Sequence, residues 1–90
     1  MNRKTITIQT NTIKKGKPDQ RSFACQTIEL APRRIYVLEE TKNDLTRKRF
    51  TVTPGCKIID DGDSYTIEDI KYWKKPMYPF LVVFPESKKP

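Results

Sequence analysis

The chain has 90 residues, 36% of them apolar and 32% charged, which suffices for one small domain with a thin core but not for two. Lys and Arg number 18 against 11 Asp and Glu, so the net charge is +7, and histidine is absent. Because histidine is the commonest general base and the commonest ligand of transition metals, we expect neither an enzyme nor a metal or cofactor site. No apolar run approaches the 18 residues of a transmembrane helix, so no membrane contact is expected.

The N-terminal segment Thr5–Thr10 alternates strictly between polar and apolar residues, which is typical of a half-buried β-strand. Ile6 and Ile8 share one parity of this strand and are expected to face the core. Residues 14–20 are charged, polar or turn-forming, so they predict a hairpin loop. Because burial of unpaired ammonium groups is very costly, this loop must project into solvent or onto a partner.

A proline separates the second predicted strand from the third. Residues 22–30 resume the strand pattern, with Phe23 and Cys25 on one face. Pro32 lacks the N–H group that a central strand needs, so it predicts a bend or bulge. Residues 35–38 then form a third strand that is apolar on both faces.

The middle of the chain predicts a polar loop followed by a strand. Residues 39–44 are mostly charged, and a helix over residues 38–45 is conceivable but is weakened by its Thr and Asn. Residues 47–53 alternate again, with Phe50 and Val52 on the inner parity. This part of the chain is therefore assigned to a loop and a strand.

Two turns divide the C-terminal half. Pro54 and Gly55 fit the two central positions of a type II turn, and Asp-Gly within residues 60–63 is a strong hairpin signal. Residues 56–59 predict a short strand between these turns. Residues 65–70 predict a single strand after the second turn, and its Tyr65 and Ile67 are expected to face inward.

The remaining residues predict a loop, a final strand and a tail. Residues 72–79 are aromatic and interrupted by proline, which indicates a loop. Residues 80–84 form the most apolar strand, which we expect to be central in the sheet, with Leu81 and Val83 inward; the alternative is that Phe80, Val82 and Phe84 face inward.

Together these elements predict an all-β fold: a small single-domain β-barrel or sandwich of about six to seven short antiparallel strands. Residues 1–4 are assigned to a flexible N-terminus, residues 5–84 to the barrel domain and residues 85–90 to a charged flexible tail. The strands recur every 8–12 residues with turn signals between them, which is typical of small barrels.

The cysteines and the aspartate cluster are each assigned a structural role. Cys25 and Cys56 lie in apolar contexts without a CxxC motif, so they are expected to be reduced, buried thiols; the alternative is a disulfide between them. Asp60, Asp61 and Asp63 lie on a turn, where Asp is favoured for its local hydrogen bonds. Their spacing does not fit a calcium loop.

Candidate contacts to a partner or to DNA combine clustered cations with neighbouring aromatic rings. The candidates are Lys14, Lys15, Lys17, Arg33, Arg34, Arg47, Arg49, Tyr72, Trp73, Lys74 and Lys75. Cations bind phosphates, and aromatic rings beside them stack on bases. A backbone contact without sequence reading is favoured over base stacking, and the alternative is that these charges only keep the domain soluble.

The order of turns and strands from Phe50 to Ile70 resembles the C-terminal half of the tailed-phage head-closure (head–tail joining) proteins. The similarity comprises an apolar strand, a Pro-Gly turn, a short strand, a Gly turn, the Tyr-x-Ile motif that begins at Tyr65, and a final apolar strand. The opening segment Lys4–Gln9 is similar to the first strand of that family.

This resemblance implies a non-enzymatic structural subunit of a phage neck or tail assembly, located in the virion after synthesis in the host cytoplasm. Its partners would be portal, adaptor or tail proteins, in a homo-oligomeric ring around the DNA channel. Non-specific contact with the DNA backbone fits such a ring. The alternative is a small basic β-barrel that binds nucleic acid or inhibits a host protein that handles nucleic acid.

Overall fold

The computed structural model describes residues 2–73 and 77–85, so the candidates Lys74 and Lys75 lie outside the described residues. The strands are β1 Asn2–Lys14, β2 Lys17–Leu30, β3 Arg33–Leu38, β4 Lys57–Asp60, β5 Asp63–Thr66, β6 Asp69–Trp73 and β7 Tyr78–Val83, and helix α1 spans Lys42–Arg47. All pairings in the sheet are antiparallel, in the order β5-β4-β1-β2-β3-β7-β6. The expected all-β class of a small barrel is therefore confirmed.

The sheet curls because its two edge strands, β5 and β6, are joined by only Ile67 and Glu68. A two-residue link spans at most about 10 Å, so the edges must approach each other there. The N–H of Ile67 donates to Cys56 O on the β4 side at 2.9 Å, and the N–H of Glu68 donates to Val82 O on the β7 side at 2.8 Å. The single strand predicted over residues 65–70 is therefore wrong, because its backbone changes partner from one edge of the sheet to the other.

The core lies inside this curled sheet. Its buried apolar members are Ile6, Ile8, Phe23, Cys25, Tyr36, Leu38, Leu45, Phe50, Val52, Cys56, Ile58, Ile67, Leu81 and Val83. The expected inward parity is confirmed in β1, β2 and β7. Tyr65 is only half-buried and packs against the edge of the core.

The β1–β2 hairpin is tighter than the predicted loop over residues 14–20. Lys14 pairs with Lys17, and only Lys15 and Gly16 form the turn, with φ of 52° and 81°. These angles match a two-residue turn of type I′, whose twist continues that of the flanking strands. Strand pairing therefore reaches the tip of the hairpin, and the segment assigned to a loop is mostly strand.

Two further boundaries differ from expectation. Strand β1 begins at Asn2, so residues 2–4, which were assigned to a flexible N-terminus, pair with β2. Strand β7 lies next to the edge strand β6 and is not central. An apolar run indicates burial of both faces rather than position in the sheet, and residues 81–83 of β7 are indeed buried.

The strand predicted over residues 47–53 is wrong, because residues 48–53 form a turn and an irregular segment. Helix α1 over Lys42–Arg47 precedes them, where a helix over residues 38–45 was considered conceivable. The Thr41 hydroxyl accepts from the N–H of Asp44, and the Asp44 carboxylate accepts from the N–H of Thr41, which together form a capping box. At the other end the N–H of Phe50 donates to Leu45 O and that of Arg49 to Thr46 O, which is a Schellman motif. This motif returns the chain into the core, so Phe50 is buried without belonging to a strand.

Both thiols are buried and free, as expected. Burial raises the pKa of Cys25 to about 11, and the nearby Asp60 carboxylate acts in the same direction. We predict that Cys25 and Cys56 react with a thiol reagent at pH 8 only at the rate at which the protein opens, because the thiolate is the reactive species. Labelling followed by mass spectrometry, with and without urea, measures this; a native rate equal to the rate in urea would contradict it.

Candidate nucleic-acid interface

The predicted contact residues occupy three separate regions of the described structure. The first region is the β1–β2 hairpin tip with Lys14, Lys15 and Lys17; the second is the start of β3 with Arg33 and Arg34; the third is formed by α1 and β6 with Arg47, Arg49, Tyr72 and Trp73. The structure therefore does not gather them into one site. Each region is distinguished by how many of its cations already have acidic partners.

At the hairpin tip, part of the positive charge is neutralised within the chain. Lys14 Nζ lies 3.4 Å from an Asp19 carboxylate oxygen, and Arg21 approaches the other oxygen at 3.9 Å. Lys15 and Lys17 are exposed and form no ion pair with a described carboxylate. The tip projects from the sheet as expected, with two cations available to a partner.

At the start of β3, Arg34 has a structural role. Its guanidinium forms an ion pair with Glu29, donates to Tyr36 Oη at 3.3 Å, and lies 5.4 Å from the centre of the Tyr65 ring. Although burial disfavours its charged form, these hydrogen bonds raise its pKa above the usual value. Its neighbour Arg33 is exposed. Of this pair, only Arg33 can reach a partner without breaking internal contacts.

Beside α1 lies a cleft of about 190 Å³, which we call the α1 cleft. It is lined by Lys42, Leu45, Thr46, Arg49, Phe50, Thr51, Val52 and Tyr72. Lys42 Nζ lies 5.1 Å from the centre of the Tyr72 ring, which is 39% exposed. The cleft thus places two cations beside an accessible aromatic ring, and the sequence analysis identified two of these three residues but missed Lys42.

The other two candidates of this region point elsewhere. Arg47 donates to an Asp44 carboxylate oxygen at 2.9 Å, which neutralises its charge within the helix. Trp73 follows Tyr72 in β6 and lies on the opposite face of the sheet, where it meets Phe80 edge-on at 5.2 Å. Tyr72 and Trp73 therefore do not form one surface for base stacking, which was the less favoured kind of contact.

Two of the cations without acidic partners occupy backbone positions that are unfavourable for their side chains. Lys15 and Arg49 have φ of 52° and 58°, in the left-handed region that costs most residues about 1 kcal/mol. Gly or Asn normally occupies the end of a Schellman motif, and the first position of a type I′ turn favours Asn, Asp or Gly. Asp61, by contrast, has φ of 51° at such a turn position and is a residue that tolerates it. Basic side chains therefore stand at two positions where local structure favours another residue.

Asp60 holds strands of the fold together, whereas the sequence analysis assigned it to a turn. It is 5% exposed, accepts from Tyr36 Oη at 2.7 Å and accepts from Lys4 Nζ at 2.8 Å. Burial alone would raise the pKa of its carboxyl, but the hydrogen bonds from Lys4 and Tyr36 outweigh burial and lower it. Asp60 therefore stays ionised and links three strands. The only sequence signal for this role is that Asp60 ends a strand and belongs to the set of alternate residues that face inward.

Comparisons with protein-family models, with curated proteins and with solved structures gave no match to this chain. Within residues 2–73 and 77–85, no group of three or more thiols and carboxylates is arranged to hold a metal ion. No helix in those same ranges is long and apolar enough to cross a membrane. The functional argument therefore rests on the basic and aromatic residues described above.

Proposed function

We propose that this chain is a non-enzymatic structural subunit of a phage neck or tail assembly, with its α1 cleft and hairpin tip facing DNA. Portal, adaptor or tail proteins would be its protein partners in the virion. The observation that carries the proposal is the placement of Lys15 and Arg49 at left-handed backbone positions without an acidic partner among the described residues. A role in contacting phosphates gives a reason for keeping a charge where the backbone favours Gly or Asn.

The chemistry of these residues suits a channel better than a sequence reader. Lys and Arg that contact phosphates release counterions and bind any DNA sequence. Two of the arginines that could read base edges, Arg34 and Arg47, are occupied by Glu29 and Asp44. A subunit that surrounds passing DNA requires such sequence-independent contact.

A second candidate function is a small basic barrel that binds single-stranded nucleic acid or blocks a host protein that handles it. The α1 cleft favours it, because Tyr72 presents an exposed ring between Lys42 and the cleft. A base stacked on this ring would place its phosphates near the cations. This candidate predicts tighter binding to single strands than to duplexes, whereas the structural subunit predicts binding to duplex DNA.

We predict that the double variant Lys15→Asn, Arg49→Gly is more stable than the wild type but binds DNA more weakly. Relief of two left-handed positions should add about 0.5–1 kcal/mol each to the free energy of unfolding. Loss of two phosphate contacts should reduce the slope of log K against log salt concentration by about two units. Urea unfolding and fluorescence anisotropy with a labelled 20-base-pair duplex measure both effects.

The matched control removes the same charge from cations that already have acidic partners. Arg3 pairs with Glu39 at 2.6 Å and Lys71 with Asp69 at 3.4 Å, both away from the α1 cleft. The double variant Arg3→Gln, Lys71→Gln should keep most of the wild-type salt slope. If both double variants lost the same salt slope, DNA binding would depend only on the net charge of the protein. If the wild type bound no DNA at low salt, both candidate functions would be refuted.

A further inference from the structure

The outer face of strands β2, β3 and β7, together with Trp73 of β6, carries many apolar side chains, although it points away from the core. In β3 and β7 the buried pair Tyr36–Leu81 faces inward, so by alternation the neighbouring pairs Ile35–Val82 and Val37–Phe80 face outward. The apolar residues on this surface, which we call the outer patch, are Ile28, Leu30, Ile35, Val37, Trp73, Tyr78, Phe80 and Val82.

The outer surface of β1 and β4 is the comparison for the outer patch, because it shows which side chains this sheet exposes to water. On β1 the outward parity carries Thr5, Thr7 and Gln9, and on β4 it carries Lys57 and the half-buried Ile59. One side of the curled sheet is therefore mostly polar outside and apolar inside, as expected for a solvated sheet. The outer patch departs from this pattern over four adjacent strands, which indicates a surface that is covered in the working protein.

The size of the outer patch matches the apolar centre of a protein interface. Trp73, Leu30 and Tyr78 are 51%, 48% and 37% exposed, and most of the other members are half-buried. With about 150–250 Å² for each aromatic side chain, the exposed apolar area is roughly 400–500 Å². A stable interface buries about 800 Å² per partner, of which about 65% is apolar in homodimers. The patch supplies most of the roughly 520 Å² of apolar area that such an interface contains.

The charges around the outer patch are partly neutralised within the chain. Of the cations at its rim, Lys71 lies 3.4 Å from Asp69 and Arg3 forms an ion pair with Glu39. Arg33, which pairs with Leu30 in the register of β2 and β3, is exposed at the end of the patch. A two-fold arrangement of two chains must therefore keep the two Arg33 side chains apart.

The shape of the outer patch is also suited to an identical partner. A groove of about 440 Å³ is lined by Gln26, Val37, Leu38, Glu39, Trp73 and Tyr78. The exposed indole of Trp73 stands at the border of this groove. In an arrangement with two-fold symmetry, each copy supplies both a protruding ring and a groove, which is the condition for self-complementarity.

We propose that the outer patch is the interface between two copies of this chain, formed face to face around a two-fold axis. The proposal adds a dimer contact to the structural subunit proposed above, but it requires no DNA. Val37→Lys tests it, because this substitution places a charge at the centre of the patch and leaves the core untouched. Thr7→Lys is the matched control, with the same added charge on the polar side of the outer surface.

Sedimentation equilibrium of the wild type from 1 to 200 µM should show a monomer–dimer equilibrium. Val37→Lys should raise the dissociation constant at least tenfold, while Thr7→Lys leaves it within about twofold. If the wild type stays monomeric at 200 µM, the proposal is overturned, and the patch would be a binding surface for a different protein. Equal dimerisation of both variants also overturns it.

The single tryptophan gives a second measurement that does not depend on any variant. Trp73 emission should shift to shorter wavelength, and its quenching by acrylamide should decrease, as the wild type is concentrated across the dimerisation range. Constant quenching in a sample that dimerises would place the contact elsewhere and overturn the proposal. Binding of Val37→Lys to duplex DNA at 1 µM, where the wild type is monomeric, tests the proposed function separately.

Discussion

Replacing Phe23 by Ala is expected to lower the free energy of unfolding by about 3–5 kcal/mol. The ring is 2% exposed, lies 5.4 Å from the Phe50 ring and is approached by Lys48 Nζ at 5.5 Å. Its removal leaves a cavity where β2 meets the chain that returns from α1. A domain of this length has a total stability of roughly 5–13 kcal/mol, so the loss is a large part of the whole.

Urea unfolding monitored by Trp73 fluorescence measures this loss. Ile13→Ala is the matched control, because Ile13 is 61% exposed and its truncation should cost less than about 0.5 kcal/mol. If both variants lost the same stability, the burial assigned to β2 would be wrong. The slope of the unfolding free energy against urea should remain unchanged in both, since neither substitution alters the folded architecture.

Replacing Asp60 by Ala is expected to cost about 3 kcal/mol, because it leaves the Tyr36 hydroxyl buried without an acceptor and removes the nearer of the two carboxylates that pair with Lys4. Asp60→Asn keeps an acceptor oxygen and removes only the charge, so its cost should be roughly half as large. Asp61→Asn is the matched control, because that carboxylate is 86% exposed on the same turn.

The same carboxylate predicts how stability depends on pH. Because the pKa of Asp60 is lower in the folded protein than in the unfolded chain, its contribution is fully present above pH 4 and is lost as the pH falls through its folded pKa. Urea midpoints between pH 7 and pH 2 should therefore decrease in the wild type and in Asp61→Asn. They should decrease less steeply in Asp60→Asn, and parallel curves for all three proteins would contradict the role of this carboxylate.

The candidate interface was only partly predictable from sequence. Clustered Lys and Arg mark a basic surface, but the sequence does not show which charges are neutralised. Arg34 and Arg47 were expected to meet a partner, and the structure pairs them with Glu29 and Asp44. Lys42 was missed because it lies in α1, whereas the ring that it contacts, Tyr72, lies in a strand about 30 positions further along the chain. Such pairings depend on contacts that a linear pattern does not contain.

The sequence by itself determined the features that depend on neighbouring residues. Alternation placed Ile6 and Ile8 in the core, and Pro54-Gly55 and Asp61-Gly62 defined two turns, because side-chain period and backbone angles are local properties. Only the tertiary structure decided the burial of Asp60 and the outer patch. Both depend on which distant strands pair: Asp60 meets Tyr36 from 24 positions away, and the outer patch forms only when β2, β3, β7 and β6 lie side by side.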